Sequence, residues 1–251
     1  MYLQVCGLYL IKIHNISNIL LNIAYTSEYI PLIFFLFLFR KLKEKKLRYF
    51  FIYICYEALN TTLGLIINNH FRNVDAYEIQ LRIYNIIEFV LISFTIIDNL
   101  ESPTFKKLIS FSTIAFFIFC IYDYLTSKHG IIDFDPVVVE CIVMLLFLIY
   151  FLYEKINNDD SELLHETRTF WIAVAFFIYF SGNFFLFLYS RTMTKDKSFM
   201  VQYTLIFSTI VIIKNLFILI ALLLKSKNNE RQGNSIDESN SDFDYSLTTL
   251  N

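Results

Sequence analysis

Five residues of this chain pair a chemically capable side chain with a place deep inside an apolar run: Glu28, Glu57, Glu88, Asn183 and Lys214. Lys214 is the sharpest case. It stands near the centre of TLIFSTIVIIKNLFILIALLLK (204–225), a run that is otherwise apolar almost throughout. About 20 apolar residues cross the roughly 30 Å hydrocarbon core of a bilayer, at about 1.5 Å per residue. An ammonium at mid-membrane costs from about 3 kcal/mol to about 10 kcal/mol or more on an isolated helix, so it must face protein or water. One lysine neutralises one carboxylate. At low dielectric, protons or penetrating water must balance the other acids. Two chemistries fit such a cluster. One is a structural hydrogen-bonded network inside a helix bundle. The other is a ligand, proton or ion site, the default role of ionisable groups within membranes.

The rest of the chain supplies the elements that must position these residues. Of 251 residues, 56% are hydrophobic and only 18% are charged. The mean hydropathy is +0.52. That composition, spread over long runs, reads as an all-α polytopic membrane protein. Seven segments have the length of a span: 18–39, 49–68, 79–97, 108–125, 137–153, 170–189 and 201–224. Residues 1–17 are apolar but broken by Gln4, Lys12, His14 and Asn15, and read as an interfacial segment. Residues 226–251 are polar and rich in Ser, Asn and Asp, and read as a disordered tail.

Local spacing refines the picture. Pro31 removes a backbone donor beside Glu28 and predicts a kink in the first helix. Tyr53, Glu57, Asn60 and Gly64 share one face of the second helix, and Glu78, Arg82, Asn85 and Glu88 one face of the third. The fourth helix has the weakest polar content and is expected to face lipid most. Its preceding stretch ESPTFKK (101–107) reads as a loop because of Pro103. Ser181-Gly182-Asn183 is the most polar point of the sixth helix.

Loop charge sets an expected orientation. RKLKEKKLR (40–48) contributes Arg40, Lys41, Lys43, Lys45, Lys46 and Arg48 to one set of loops, joined by Lys106, Lys107, Lys155, Arg168, Lys225 and Lys227. The opposite set holds Lys12, Arg72, Lys128, Arg191, Lys195 and Lys197. The positive-inside rule then predicts an outside N-terminus and a cytoplasmic C-terminus. Counted from the cytoplasmic ends, Glu28, Glu57, Glu88 and Lys214 lie about 15 Å deep, near the midplane of a roughly 30 Å core. Asn183 lies about one turn further out.

Several function classes lack support in the sequence. Cys6, Cys55, Cys120 and Cys141 show no CxxC spacing, and the four histidines show no HExxH pattern, so no metal site is expected. There is no GxSxG, Walker loop or Asp-rich prenyl-diphosphate motif, so an enzyme is not expected. No cofactor and no nucleic-acid partner are indicated. A transporter is a possible reading, against which stand the odd helix number and the lack of a detectable inverted repeat. A sensory or receptor-like module fits the short loops and polar interior. Its partners would be the bilayer and a separate cytoplasmic protein, reached through RKLKEKKLR, the acidic 154–168 loop or the tail.

Five stretches carry a family resemblance: SEYIPLIFF (27–35), YFFIYICYEALN (49–60), IYNIIEF (83–89), FWIAVAFFIYFSGNFFLF (170–187) and FSTIVIIKN (207–215). In these the chain resembles seven-helix integral membrane proteins of Bacteroidota-type bacteria, a family with no established activity. It looks like the stand-alone seven-helix sensory modules that accompany histidine kinases. The resemblance implies a bacterial inner-membrane location, a kinase-type partner, and importance for Glu28, Glu57, Glu88, Asn183 and Lys214, which fall in the matching stretches. A lysine in a seventh helix is also similar to the retinal-binding rhodopsins. Microbial rhodopsins carry an acid four residues before it, where this chain has Ile210. Fold analogy alone is a weak warrant for retinal.

Overall fold

The computed structural model describes residues 2–38, 45–67, 70, 74–126, 134–157, 164–193 and 197–224. Among them are seven α-helices: α1 (Tyr2–Leu38), α2 (Arg48–Ile66), α3 (Val74–Asn99), α4 (Pro103–Thr126), α5 (Phe134–Asn157), α6 (Arg168–Met193) and α7 (Lys197–Leu223). Short 3-10 turns, Lys45–Leu47 and Leu164–Glu166, precede α2 and α6. Every α-helix contains a stretch of 19 to 24 residues long and apolar enough to cross a membrane. The fold is therefore an all-α, multi-pass bundle. Hydrocarbon offers no partners for backbone polar groups, and a helix satisfies them within itself. Residues 2–17 continue α1 as one helix, whose span is Ile16–Leu38. The tail 226–251 lies outside the described residues.

Successive helices run antiparallel, as their ring pairs show. Phe35 stacks on Phe51, Tyr56 on Tyr84, Phe89 on Phe116 and Trp171 on Phe217. The start of α1 and the α2–α3, α4–α5 and α6–α7 connections thus lie at one end, here the N-terminal end. The other connections and the end of α7 lie at the C-terminal end. α7 packs chiefly on α1 and α6, α6 on α5, and α3 on α2, α4 and α5, which closes a ring. α4 is the most peripheral span, with 17% of its most apolar window buried against 44% for α3, α6 and α7. Phe111, Ile114, Ile118 and Leu125 project outward from it.

Two helix ends are fixed by side chains from a neighbouring helix. Arg168 of α6 donates to the Leu224 carbonyl at 2.8 and 2.6 Å, supplying a partner at the end of α7. Glu154 of α5 accepts from the backbone N–H of Glu101 at 2.6 Å and of Ser102 at 3.2 Å. Immediately after these, α4 begins at Pro103 itself, not near residue 108 as the loop reading of ESPTFKK had it. A proline in the first helical turn loses no hydrogen bond, and its fixed φ suits the helix.

Candidate functional site

A partly open cavity of about 140 Å³ occupies the half of the bundle nearer the N-terminal end. Its wall takes Tyr25 and Glu28 from α1, Glu57, Asn60, Thr61 and Gly64 from α2, and Tyr77, Gln80 and Tyr84 from α3. Tyr179 of α6 and Phe207, Val211 and Lys214 of α7 complete it. The helical spacing predicted for α2 accounts for its share, since Glu57, Asn60 and Gly64 recur at three and four residues on one face. Pro31 of α1 is buried, and one turn before it α1 meets α7, where Asn215 Nδ2 donates to Ser27 Oγ at 2.9 Å.

Lys214 forms part of the cavity wall. It is 1% exposed, and Glu57 beside it is 3% exposed. The Lys214 ammonium donates to Glu57 Oε1 and, at 3.2 Å, to the Tyr53 hydroxyl. Its Nζ also lies 4.7 Å from the centroid of the Tyr179 ring, a cation–π distance. A buried ammonium needs a carboxylate and further acceptors to offset lost hydration, and all three contacts serve that need.

Glu88 sits behind the pair, also buried, and three phenols donate to it. Tyr84 reaches Oε1 at 2.8 Å, Tyr53 reaches Oε1 at 3.2 Å, and Tyr179 reaches Oε2 at 3.4 Å. Tyr53 thereby accepts from Lys214 and donates to Glu88, linking the ion pair to the second acid through one hydroxyl. Glu28 lies within electrostatic range of Glu57 and Lys214, and Thr61 donates its hydroxyl to it. Gln80 Nε2 donates to the Asn60 carbonyl at 2.8 Å and to Asn60 Oδ1 at 2.9 Å, joining α2 to α3 at the cavity wall.

The structure thus brings Glu28, Glu57 and Lys214 to one cavity and ties Glu88 to them through Tyr53. Asn183 stands apart. It is buried on α6 with its side-chain oxygen unpartnered, and it is not part of the cavity wall. Of the basic stretch, Arg40, Lys41 and Lys43 lie outside the described residues. Lys45 opens a 3-10 turn at the C-terminal end, and Lys46 and Arg48 are exposed there.

Several residues escaped the sequence reading. Tyr84 and Tyr179 sheathe Glu88, but with 17 tyrosines in the chain their type alone selects nothing. Tyr84 lies four residues before Glu88, so helical spacing was the available signal. Glu140 of α5 is 2% exposed, has an unpartnered Oε1 and lies within electrostatic range of Glu88. Its position near the start of a span concealed that burial. Among the described residues no group of three His, Cys, Asp or Glu side chains is arranged to hold a metal.

The two halves of the bundle differ in what they bury. Toward the C-terminal end the interior is mostly apolar and aromatic: Phe50, Ile54, Ile92, Phe151, Ile172, Phe176, Ile218 and Leu222 are all buried, with Ser93, Thr95, Asn99 and Glu154 buried among them. A void of about 20 Å³ lies there, lined mainly by apolar side chains and large enough for about one water. No protein family, curated protein or solved structure matches the chain, so the functional argument rests on this site.

Proposed function

We propose that this protein is a sensory, receptor-like membrane module, in which a small polar ligand entering the cavity resets the Lys214–Glu57–Tyr53–Glu88 network. The observation that carries the reading is the one-sided interior. The cavity ends on the buried ion pair, and the half beyond it is packed with aromatic and aliphatic side chains. Such an interior favours reception at one end over passage to the other. The positive-inside bias puts the N-terminus and the cavity outside, and the basic Arg40–Arg48 stretch and the tail in the cytoplasm of a bacterial cell. A cytoplasmic partner such as a histidine kinase would read the change there. The rhodopsin-like alternative is weakened by size, since pockets for drug-sized ligands hold about 300–1,000 Å³. A transporter of a small solute, ion or proton is the competing reading.

The test uses the double variant Lys214→Met/Glu57→Gln, which removes the ion pair without stranding either charge. In the source cell it should accumulate to wild-type levels yet reproduce the transcript changes of a gene deletion. A wild-type transcript profile from a well-folded double variant would overturn the assignment of the pair as the input site. Net solute accumulation by the purified protein in proteoliposomes would decide for transport.

A further inference from the structure

The cavity wall is complementary to one class of ligand. Lys214 is already satisfied by Glu57 and Tyr53, so it offers no free charge to an anion. The carboxylate of Glu28 is left over: among the described residues it receives a hydroxyl from Thr61 and has no cation within salt-bridge distance. Two wall carboxylates face one ammonium, so the second, Glu28, is balanced by a proton or by a cation entering from outside.

A second observation points to a hydrogen-bond donor in the ligand. Gln80 Oε1 is buried and has no partner. Its amide cannot simply turn over, because Nε2 is committed to both the carbonyl and the side-chain oxygen of Asn60. A buried acceptor left unpaired costs about 1–3 kcal/mol, so this oxygen favours an N–H or O–H in the cavity. Gly64 lets Gln80 approach α2 closely. A Cβ there would come within 3.2 Å of Gln80 Nε2 and 3.5 Å of Oε1.

The remaining wall is aromatic. Tyr25 and Tyr77 lie within electrostatic range of Glu28, and Tyr179 already takes one ammonium, Lys214, against its ring. Aromatic faces hold organic cations well. A hard metal ion instead seeks about six to eight oxygen ligands, and the hydroxyls of Tyr84 and Tyr179 are spent on Glu88.

We propose that the cavity binds a small primary ammonium ion, with Glu28 as its counter-charge, Gln80 Oε1 as an N–H acceptor and the tyrosine rings as its walls. The proposal rests on the sensory reading for its site and adds the ligand class. A volume of about 140 Å³ limits the cation to a few heavy atoms plus water.

The experiment is thermal unfolding of the full chain in lipid nanodiscs with ethylammonium chloride as the probe. Ethylammonium should raise Tm saturably. Sodium acetate, propanol, sodium chloride and potassium chloride at equal concentration should not. Tetramethylammonium, which has no N–H for Gln80, should bind at least about tenfold more weakly, one 1.4 kcal/mol step. Glu28→Gln should abolish the ethylammonium shift. If that variant does not fold, Gly64→Val, which displaces the Gln80 side chain without touching a charge, should weaken it at least about tenfold. Equal stabilisation by propanol, acetate or potassium, or an undiminished shift in a folded Glu28→Gln protein, overturns the ligand class. That failure leaves the transcript test of the ion pair standing. Ethylammonium-specific binding accompanied by its accumulation in proteoliposomes supports the ligand class and retires the sensory reading.

Discussion

At the residue scale, among the described residues Lys214 has one carboxylate partner and Glu88 has no opposite charge within salt-bridge distance. Glu57 takes the ammonium, and three phenols take Glu88. The two acids should therefore respond differently when the lysine is removed. Lys214→Met strands Glu57 in a buried site, and breaking a buried pair this way costs about 3–5 kcal/mol. Adding Glu57→Gln should recover most of that loss, with a coupling energy above about 1 kcal/mol in a double-mutant cycle. Glu88→Gln in the same background should recover little, because the hydroxyl donors of Glu88 are then left facing an amide. Denaturation in mixed micelles measures all five proteins: the wild type, Lys214→Met, Glu57→Gln and the two double variants. Rescue by Glu88→Gln and not by Glu57→Gln would reverse the pairing.

At the scale of elements, the approach of α6 to α7 sets the far wall of the cavity. Gly182 permits that approach: an added Cβ would lie 2.6 Å from Ile210 Cδ1 and 2.8 Å from Cγ1. The end of the isoleucine can swing, but Cγ1 sits next to its own branch point and has less freedom. Overpacking of this kind costs about 1–3 kcal/mol. Gly182→Ala is expected to lower stability by that amount, and Gly182→Ala/Ile210→Ala to fall less far than the two single losses added together. Strict additivity in the same denaturation assay would show that the two helices do not meet at these residues. The pair also explains the polar interruption in α6, since the glycine of Ser181-Gly182-Asn183 serves close packing in the small-residue manner of membrane helices.

At the scale of the whole molecule, the cavity lies toward one end and the mostly apolar packing toward the other, and orientation decides which faces the cytoplasm. Lys45, Lys46, Arg48, Lys106, Lys155 and Arg168 lie at the C-terminal end. A cytoplasm-active reporter fused after Lys225 should therefore give signal, and the same reporter inserted at His129 should not. The opposite pattern would place the cavity toward the cytoplasm and exchange the roles of the two ends. Cysteine accessibility gives an independent reading. A membrane-impermeant thiol reagent added to intact cells should label Gly64→Cys, on the cavity wall, when the other cysteines are replaced.

The membrane class and the seven spans were legible in the sequence because both are local properties. A run of about 20 apolar residues is long enough to span whatever its neighbours do. The depth expected for Glu28, Glu57, Glu88 and Lys214 rests on the same kind of property, distance along a helix. Rotation about each axis did not. Helices such as α7 are apolar on nearly all sides, so no polar stripe declares which face turns inward. Only the closing of the ring, which sets α2 across the interior from α7, decided that Glu57 receives Lys214, and only side chains converging from α2, α3 and α6 placed three tyrosines around Glu88. The cavity beside Gln80, the separate place of Asn183 and the burial of Glu140 are likewise products of several helices at once. Seven spans follow from the free energy of crossing hydrocarbon, one helix at a time. A site in their interior exists only once side chains distant in sequence fill, or fail to fill, the same space.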